Sequence, residues 1–355
     1  MTTKQGPIRV LIAEDTAVCR ELLVSIFQST PELQVVGTAR DGEEAVRLVK
    51  RLKPDLVTMD INMPKMDGYE ATTLIMQEIP TPILMISNSL NKQERNHTFD
   101  ALNAGALAIL QKPTINDAPE IHAELINQVK LMSSVKVVRR WSPNRKQDIN
   151  QTSTQKNGRV SRIPPIPKSG KINIVAIASS TGGPSALSRV LSSLPANFPH
   201  PILVVQHVTE GFGQAFASWL NKETPLTVRV GQQGDYPKPG EVLIAPDNYH
   251  MGINRFGLIQ LQKRSTTDII CPSADYLFHS LADVYGATTI GITLTGMGRD
   301  GADGLQVLRE LGAHTIVQDK ATSVIFGMPA AAIEQGAAEQ IKPIQEIAQA
   351  LMKLI

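Results

Sequence analysis

A chain of 355 residues, 42% hydrophobic and 19% charged, exceeds what one ordinary core serves, and two domains are predicted. The formal net charge of +2 is unevenly spread: residues 133–171 hold ten Lys or Arg against the single Asp148, which leaves −7 for the remainder. Charge confined to one segment argues against a general nucleic-acid binder, and the isolated Cys19 and Cys271 argue against a disulfide framework or a Cys-based zinc site.

No apolar stretch approaches a membrane span, and Glu14-Asp15 interrupts the amino terminus before a signal-peptide core forms, so a cytoplasmic protein without membrane insertion is expected. From Ile8 to about Met132, β-rich runs alternate with helix-period segments, the pattern of right-handed βαβ units and a parallel sheet. Five strands are predicted at Ile8–Ala13, Gln34–Ala39, Asp55–Met59, Pro82–Ile86 and Ala106–Leu110. Between them lie amphipathic helices, the first with Val18, Leu22 and Ile26 on one face. Residues 133–170 lose periodicity and carry Pro164-Pro165-Ile166-Pro167, the composition of a basic flexible linker.

Folded character resumes at Ile172–Ala178, followed by a Ser/Gly turn and a helix opening at Pro184. Further strands are predicted at Pro201–Gln206, Thr227–Val230, Glu241–Ala245, Thr289–Thr295 and His314–Val317, with a hairpin of Met251–Asn254 and Leu258–Leu261. The expected carboxyl-terminal domain, residues 171–355, is a doubly wound, mainly parallel α/β fold.

Functional groups collect at the carboxyl ends of strands in open α/β sheets, and Glu14, Asp15, Asp60, Ser87 and Lys112 all fall at such ends. Clustered carboxylates suit Mg²⁺, with Asp60 as phosphate acceptor, Lys112 as a point charge on a phosphate oxygen and the Ser87 hydroxyl as donor. A cis bond before Pro113 would aim Lys112 inward. In the second half, Ser180 follows a strand and precedes a helix, His207 ends the next strand, and Asp300 lies beyond a later one, an arrangement suited to nucleophile, base and orienting carboxylate. Spacing alone leaves Gly182-Gly183 open as a tight turn or anion cradle, and His207 as an ordinary hydrogen-bonded residue. Ser179 is the adjacent competitor for the nucleophile.

Asp60-Ile61-Asn62-Met63-Pro64-Lys65-Met66-Asp67-Gly68 and the run from Gly105-Ala106 to Lys112-Pro113 resemble the phosphoacceptor loop and last strand of a two-component receiver domain. The resemblance implies a flavodoxin-like (βα)5 fold over residues 1–132, phosphorylation by a histidine kinase, and a Mg²⁺ site completed by the Asn62 backbone carbonyl. The family usually has Tyr or Phe two or three positions before the lysine; this chain has Ile109. Residues 171–355, with the Ser180 loop, Gln206-His207 and Gly296-Met297-Gly298-Arg299-Asp300-Gly301, resemble the methylesterase domain of the chemotaxis protein-glutamate methylesterase/deamidase (CheB-like) family. That resemblance implies demethylation and deamidation of methylated receptor helices without a cofactor for the esterase. It makes Ser180 the nucleophile, His207 the base and Asp300 its partner, with Thr181 and Met297 flanking the oxyanion, and it implies recruitment to membrane receptor arrays. Two other classes are weighed: a phosphorylation-dependent binding protein with an inactive output domain, and a nucleic-acid regulator acting through the basic linker. The intact Ser180, His207 and Asp300 argue against the first, and the low-complexity setting of the linker charges, with Trp141 as its single aromatic, against the second.

Overall fold

Short apolar runs, buried on both faces, become parallel strands, and the segments between them become helices covering the sheets. The computed structural model of the chain describes residues 6–87, 99–135, 137 and 171–355. Apart from 133–135, 137 and the boundary residue, the expected linker lies outside the described residues.

In the amino-terminal half, β1 (Ile8–Ala13), β2 (Leu33–Ala39), β3 (Leu56–Asp60), β4 (Ile83–Ser87) and β5 (Ala108–Gln111) form one sheet in the order β2-β1-β3-β4-β5. Every pairing in it is parallel. Around it stand α1 (Ala17–Gln28), α2 (Gly42–Leu52), α3 (Gly68–Glu78), α4 (Asp100–Ala104) and α5 (Pro119–Ser133). Asp41 and Asp67 cap α2 and α3 by accepting the N–H groups of Glu44 and Glu70, both at 2.8 Å. The apolar face of α1 keeps Leu22 and Ile26 of the expected three, packed in one core, and loses Val18. Leu23, Ile26 and Phe27 are buried, whereas Val18, in the first turn, is exposed.

The carboxyl-terminal half is built on β6 (Ile174–Ser179), β7 (Ile202–Gln206), β8 (Thr227–Val230), β9 (Glu241–Ile244), β12 (Thr289–Thr293), β13 (His314–Gln318) and β14 (Gln340–Lys342). They form a seven-stranded sheet in the order β14-β13-β12-β6-β7-β9-β8, again parallel throughout. The hairpin β10 (Tyr249–Ile253) and β11 (Ile259–Lys263) is antiparallel and separate. The helices are α6 (Gly183–Leu191), α7 (Gly213–Glu223), α8 (Ala274–Val284), α9 (Ala302–Glu310), α10 (Met328–Glu334) and α11 (Ile344–Met352). From β6 the chain moves first to β7 on one side and later to β12 on the other. The β6/β12 crevice is therefore the topological switch point, where open α/β sheets place their ligands.

The two halves pack together through apolar side chains. Phe99, buried in front of α4, joins the catalytic-half core: its ring centroid lies 6.5 Å from Phe212, 5.4 Å from Phe216 and 5.8 Å from Trp219. Ile109 of β5 packs against this cluster and against its own domain's core. Met297, Val324 and Ile325 in turn pack with the core on the α1/α5 side of the first sheet.

Candidate active site and acidic pocket

In the first sheet, β1 delivers Glu14 and Asp15, β3 delivers Asp60 and β5 leads into Lys112. Glu14, Asp60, Ser87 and Lys112 are buried; Asp15 and Asn62 are exposed. One ligand oxygen from each of Glu14, Asp15 and Asp60 lies within 4.8 Å of the others. Lys112 Nζ donates to Asp60 Oδ2 at 2.7 Å and to Glu14 Oε1 at 3.2 Å. Burial raises the pKa of the Glu14 carboxyl, and the Asp60 charge adds to the effect. Burial also raises Asp60, against the opposing hydrogen bond from Lys112. The same burial would lower Lys112, but its hydrogen bond to Asp60 and the two carboxylate charges outweigh it and raise its pKa.

The Lys112–Pro113 bond, expected cis, is trans; the cis peptide among the described residues precedes Pro272. Strand pairing aims Lys112 inward instead, its N–H donating to the Ser87 carbonyl at 2.9 Å. Gly68 is required by close approach, since a Cβ there would stand 2.1 Å from the Asp60 carbonyl oxygen.

In the second sheet, Ser180 follows β6 and His207 follows β7, strands paired in parallel register through Ser179 and Gln206. Ser179 is fully buried and its hydroxyl donates to Gln206 Oε1 at 2.6 Å, which removes it from competition. The Gln206 amide donates to the Ser180 and His207 carbonyls, both at 2.8 Å, and so ties the two loops together. A Cβ on Gly183 would meet Gln206 Oε1 at 2.0 Å, so this crossing demands glycine. Ser180, Thr181 and His207 line one cavity of about 300 Å³. Its opposite wall is the receiver-like half: Phe99, Leu107–Leu110, Glu124 and Gln128.

Asp300 lies in the loop between β12 and α9 and is 6% exposed. Its Oδ2 is 2.9 Å from His207 Nε2, which leaves Nδ1 as the ring atom for proton transfer. The start of α8 holds the same carboxylate: Ser273 Oγ donates to Oδ1 at 2.8 Å, Ala274 N–H to Oδ2 at 2.6 Å and Asp275 N–H to Oδ1 at 3.2 Å. Burial would raise the Asp300 pKa; the His207 hydrogen bond and these donors overcome it and hold the pKa below the usual carboxylate range.

Residues 175–351 match the family model for the CheB methylesterase, and residues 10–126 that for the response regulator receiver domain. Similar chains include the protein-glutamate methylesterase/protein-glutamine glutaminase 1 of Syntrophus aciditrophicus, 46% identical with 98% of both chains covered. The corresponding enzyme of Nitrosospira multiformis is 46% identical over 98% of this chain and 97% of its own. The chain belongs to the CheB methylesterase family. The CheB methylesterase catalytic domain of Thermotoga maritima, 39% identical, superposes with a TM-score of 0.50, covering 52% of this chain and all of that one.

In this CheB-family chain the residues around Asp300 were not legible in sequence. Ser273 carries a helix-start signal, since it also accepts the Tyr276 N–H at 3.3 Å, but nothing in spacing ties it to a loop 27 residues away. Thr295 is another: its buried hydroxyl donates to the Thr181 carbonyl at 3.0 Å and accepts the Ile325 N–H at 2.9 Å.

The lowered Asp300 pKa fixes the sign of a pH effect. An aspartate held low stabilises the fold above its unfolded pKa, about 3.9, and loses that contribution as pH falls through the lower folded value. Denaturant melts of the wild type and Asp300→Asn should therefore differ most near neutrality and converge in strong acid. A gap that stays constant across this range would show that the Asp300 charge contributes nothing.

Proposed function

We propose that the chain is a phosphorylation-activated serine hydrolase that demethylates glutamate γ-methyl esters, and deamidates glutamines, on the helices of chemotaxis receptors. The observation that carries this reading is the cavity Ser180 shares with His207, whose ring is hydrogen-bonded to Asp300, closed on its far side by the receiver. The division runs as residues 1–132, the receiver, and 171–355, the catalytic domain, joined by the linker. The protein works in the cytoplasm, at receptor arrays.

His207 Nδ1 takes the Ser180 hydroxyl proton as Oγ attacks the ester carbonyl, and Asp300 holds the imidazolium that forms. Thr181 and Met297 flank the oxyanion. The proton passes from His207 to the methoxy oxygen, methanol leaves, and a glutamyl-serine ester remains. His207 then draws a proton from water, whose oxygen attacks the ester; Ser180 regains its hydrogen and glutamate departs. A glutamine follows the same course with ammonia leaving.

At the carboxyl end of the central strand of the other sheet, an Asp60 carboxylate oxygen takes the phosphoryl group from a phosphohistidine of the kinase. The donor set there, three carboxylates with oxygens within 4.8 Å, fits a hard divalent cation. Glu14, Asp15, Asp60 and the Asn62 carbonyl would hold Mg²⁺, which supplies charge neutralisation for the incoming phosphoryl group. Lys112 and the Ser87 hydroxyl receive its oxygens. Lys112, now bonded to Asp60, must then change partners, and β5, which leads into it, carries Ile109 and Leu110 in the wall facing Ser180. Charge at Asp60 favours an arrangement in which that wall withdraws.

Methanol release from methylated receptor membranes tests the reading. Release should rise with a small phosphodonor and Mg²⁺, ignore both in Asp60→Ala, and fall by several orders of magnitude in Ser180→Ala; undiminished release in Ser180→Ala would overturn the assignment.

Gln128 of α5 offers a second check, because its amide nitrogen lies 3.6 Å from Met297 Sδ while its buried carbonyl oxygen has no hydrogen-bond partner. Gln128→Ala should raise the unphosphorylated rate severalfold and leave the phosphorylated rate near wild type. An unchanged resting rate would detach α5 from the occlusion.

A further inference from the structure

His250 takes no part in the steps above, yet it is a buried, fully engaged side chain near them. It lies on β10, outside the main sheet, and is 6% exposed. Its Nδ1 accepts the backbone N–H of Ser273 at 3.2 Å, so that nitrogen carries a lone pair. The proton must then sit on Nε2, which lies 3.0 Å from Asp268 Oδ2. Asp268 thus selects the tautomer that can hold Ser273. The imidazole also packs on the Tyr276 ring, 5.2 Å between centroids, one turn into α8.

Ser273 is the point where this arrangement meets the reaction. Its N–H belongs to His250, while its hydroxyl and the next two N–H groups belong to Asp300. The connection runs Asp268, His250, Ser273, Asp300, His207, every link a hydrogen bond of 3.2 Å or less. A histidine that merely filled space would not need both ring nitrogens committed to the segment leading into α8.

We propose that His250 is a positioning residue for hydrolysis: by fixing the start of α8 it sets the orientation of Asp300 against His207. Without it the Ser273 N–H loses its acceptor, the first turn of α8 is free to shift, and Asp300 no longer holds the imidazole in line with Ser180. His250 touches no substrate. Its effect should therefore appear in kcat rather than in KM.

The inference rests on the reading of Ser180, His207 and Asp300 as the hydrolytic groups. The test compares His250→Leu, His250→Gln and Asp268→Ala in the full chain, measuring methanol release and the downfield proton resonance of the His207–Asp300 hydrogen bond. A glutamine amide carries an acceptor and a donor in the same 1,3 relation as the two ring nitrogens, so it can serve Ser273 and Asp268 together. His250→Leu is expected to lower kcat about 10- to 100-fold with KM within about twofold, and to shift or abolish the resonance. His250→Gln should retain both, and Asp268→Ala should show a smaller loss in the same direction. Should the leucine variant fail to fold, the glutamine and Asp268→Ala variants still decide. A folded His250→Leu with wild-type kcat, a glutamine variant as impaired as the leucine one, or an Asp268→Ala variant with unchanged kcat and resonance would overturn the proposal. Undiminished release by Asp300→Asn would instead overturn the hydrolytic reading on which it rests.

Discussion

A carboxylate kept out of water must have its charge answered by neighbours, and both reactive centres of this chain are built around that requirement. They meet it to different degrees. Asp300 receives three donors from the first turn of α8 and faces His207, and its pKa falls despite burial. Asp60 has Lys112, but Glu14 competes for the same ammonium, and its pKa rises. The fully answered charge suits a group that orients a base and stays unchanged through turnover. The incompletely answered one suits a site that is to receive a cation and a phosphoryl group.

Both centres sit at the carboxyl ends of parallel strands, and the packing of the two halves turns these positions into one device. Strand β5 leads into the lysine that holds Asp60, and the same strand carries Ile109 and Leu110 into the wall of the Ser180 cavity. Phe99 anchors the contact among Phe212, Phe216 and Trp219, rings that each bury a large apolar area. The usual aromatic of receiver domains is absent at Ile109. In its place an aliphatic side chain packs against both halves.

Much of this was legible in sequence, because parallel strands buried on both faces read as short apolar runs. Strands β1 and β8 lie at the predicted residues, and the other predicted strands differ only by small shifts at their ends. The three-residue edge strand β14, Gln340–Lys342, was missed because its pattern is too short and too polar to stand out. Strand ends also pointed to Glu14, Asp60, Lys112, Ser180 and His207. What spacing could not supply was the shell that sets their chemistry. Ser273, Thr295 and His250 are tied in by hydrogen bonds between segments far apart in the chain, and such bonds leave no periodic trace.

Receiver control of the Ser180 entrance is open to direct measurement. Reaction of Ser180 with a fluorophosphonate, followed by intact mass in the full-length chain, measures that access without a receptor. Slow labelling at rest, accelerated by phosphodonor with Mg²⁺ and unresponsive in Asp60→Ala, is the predicted result. Equally fast labelling of the resting and phosphorylated chains would contradict it.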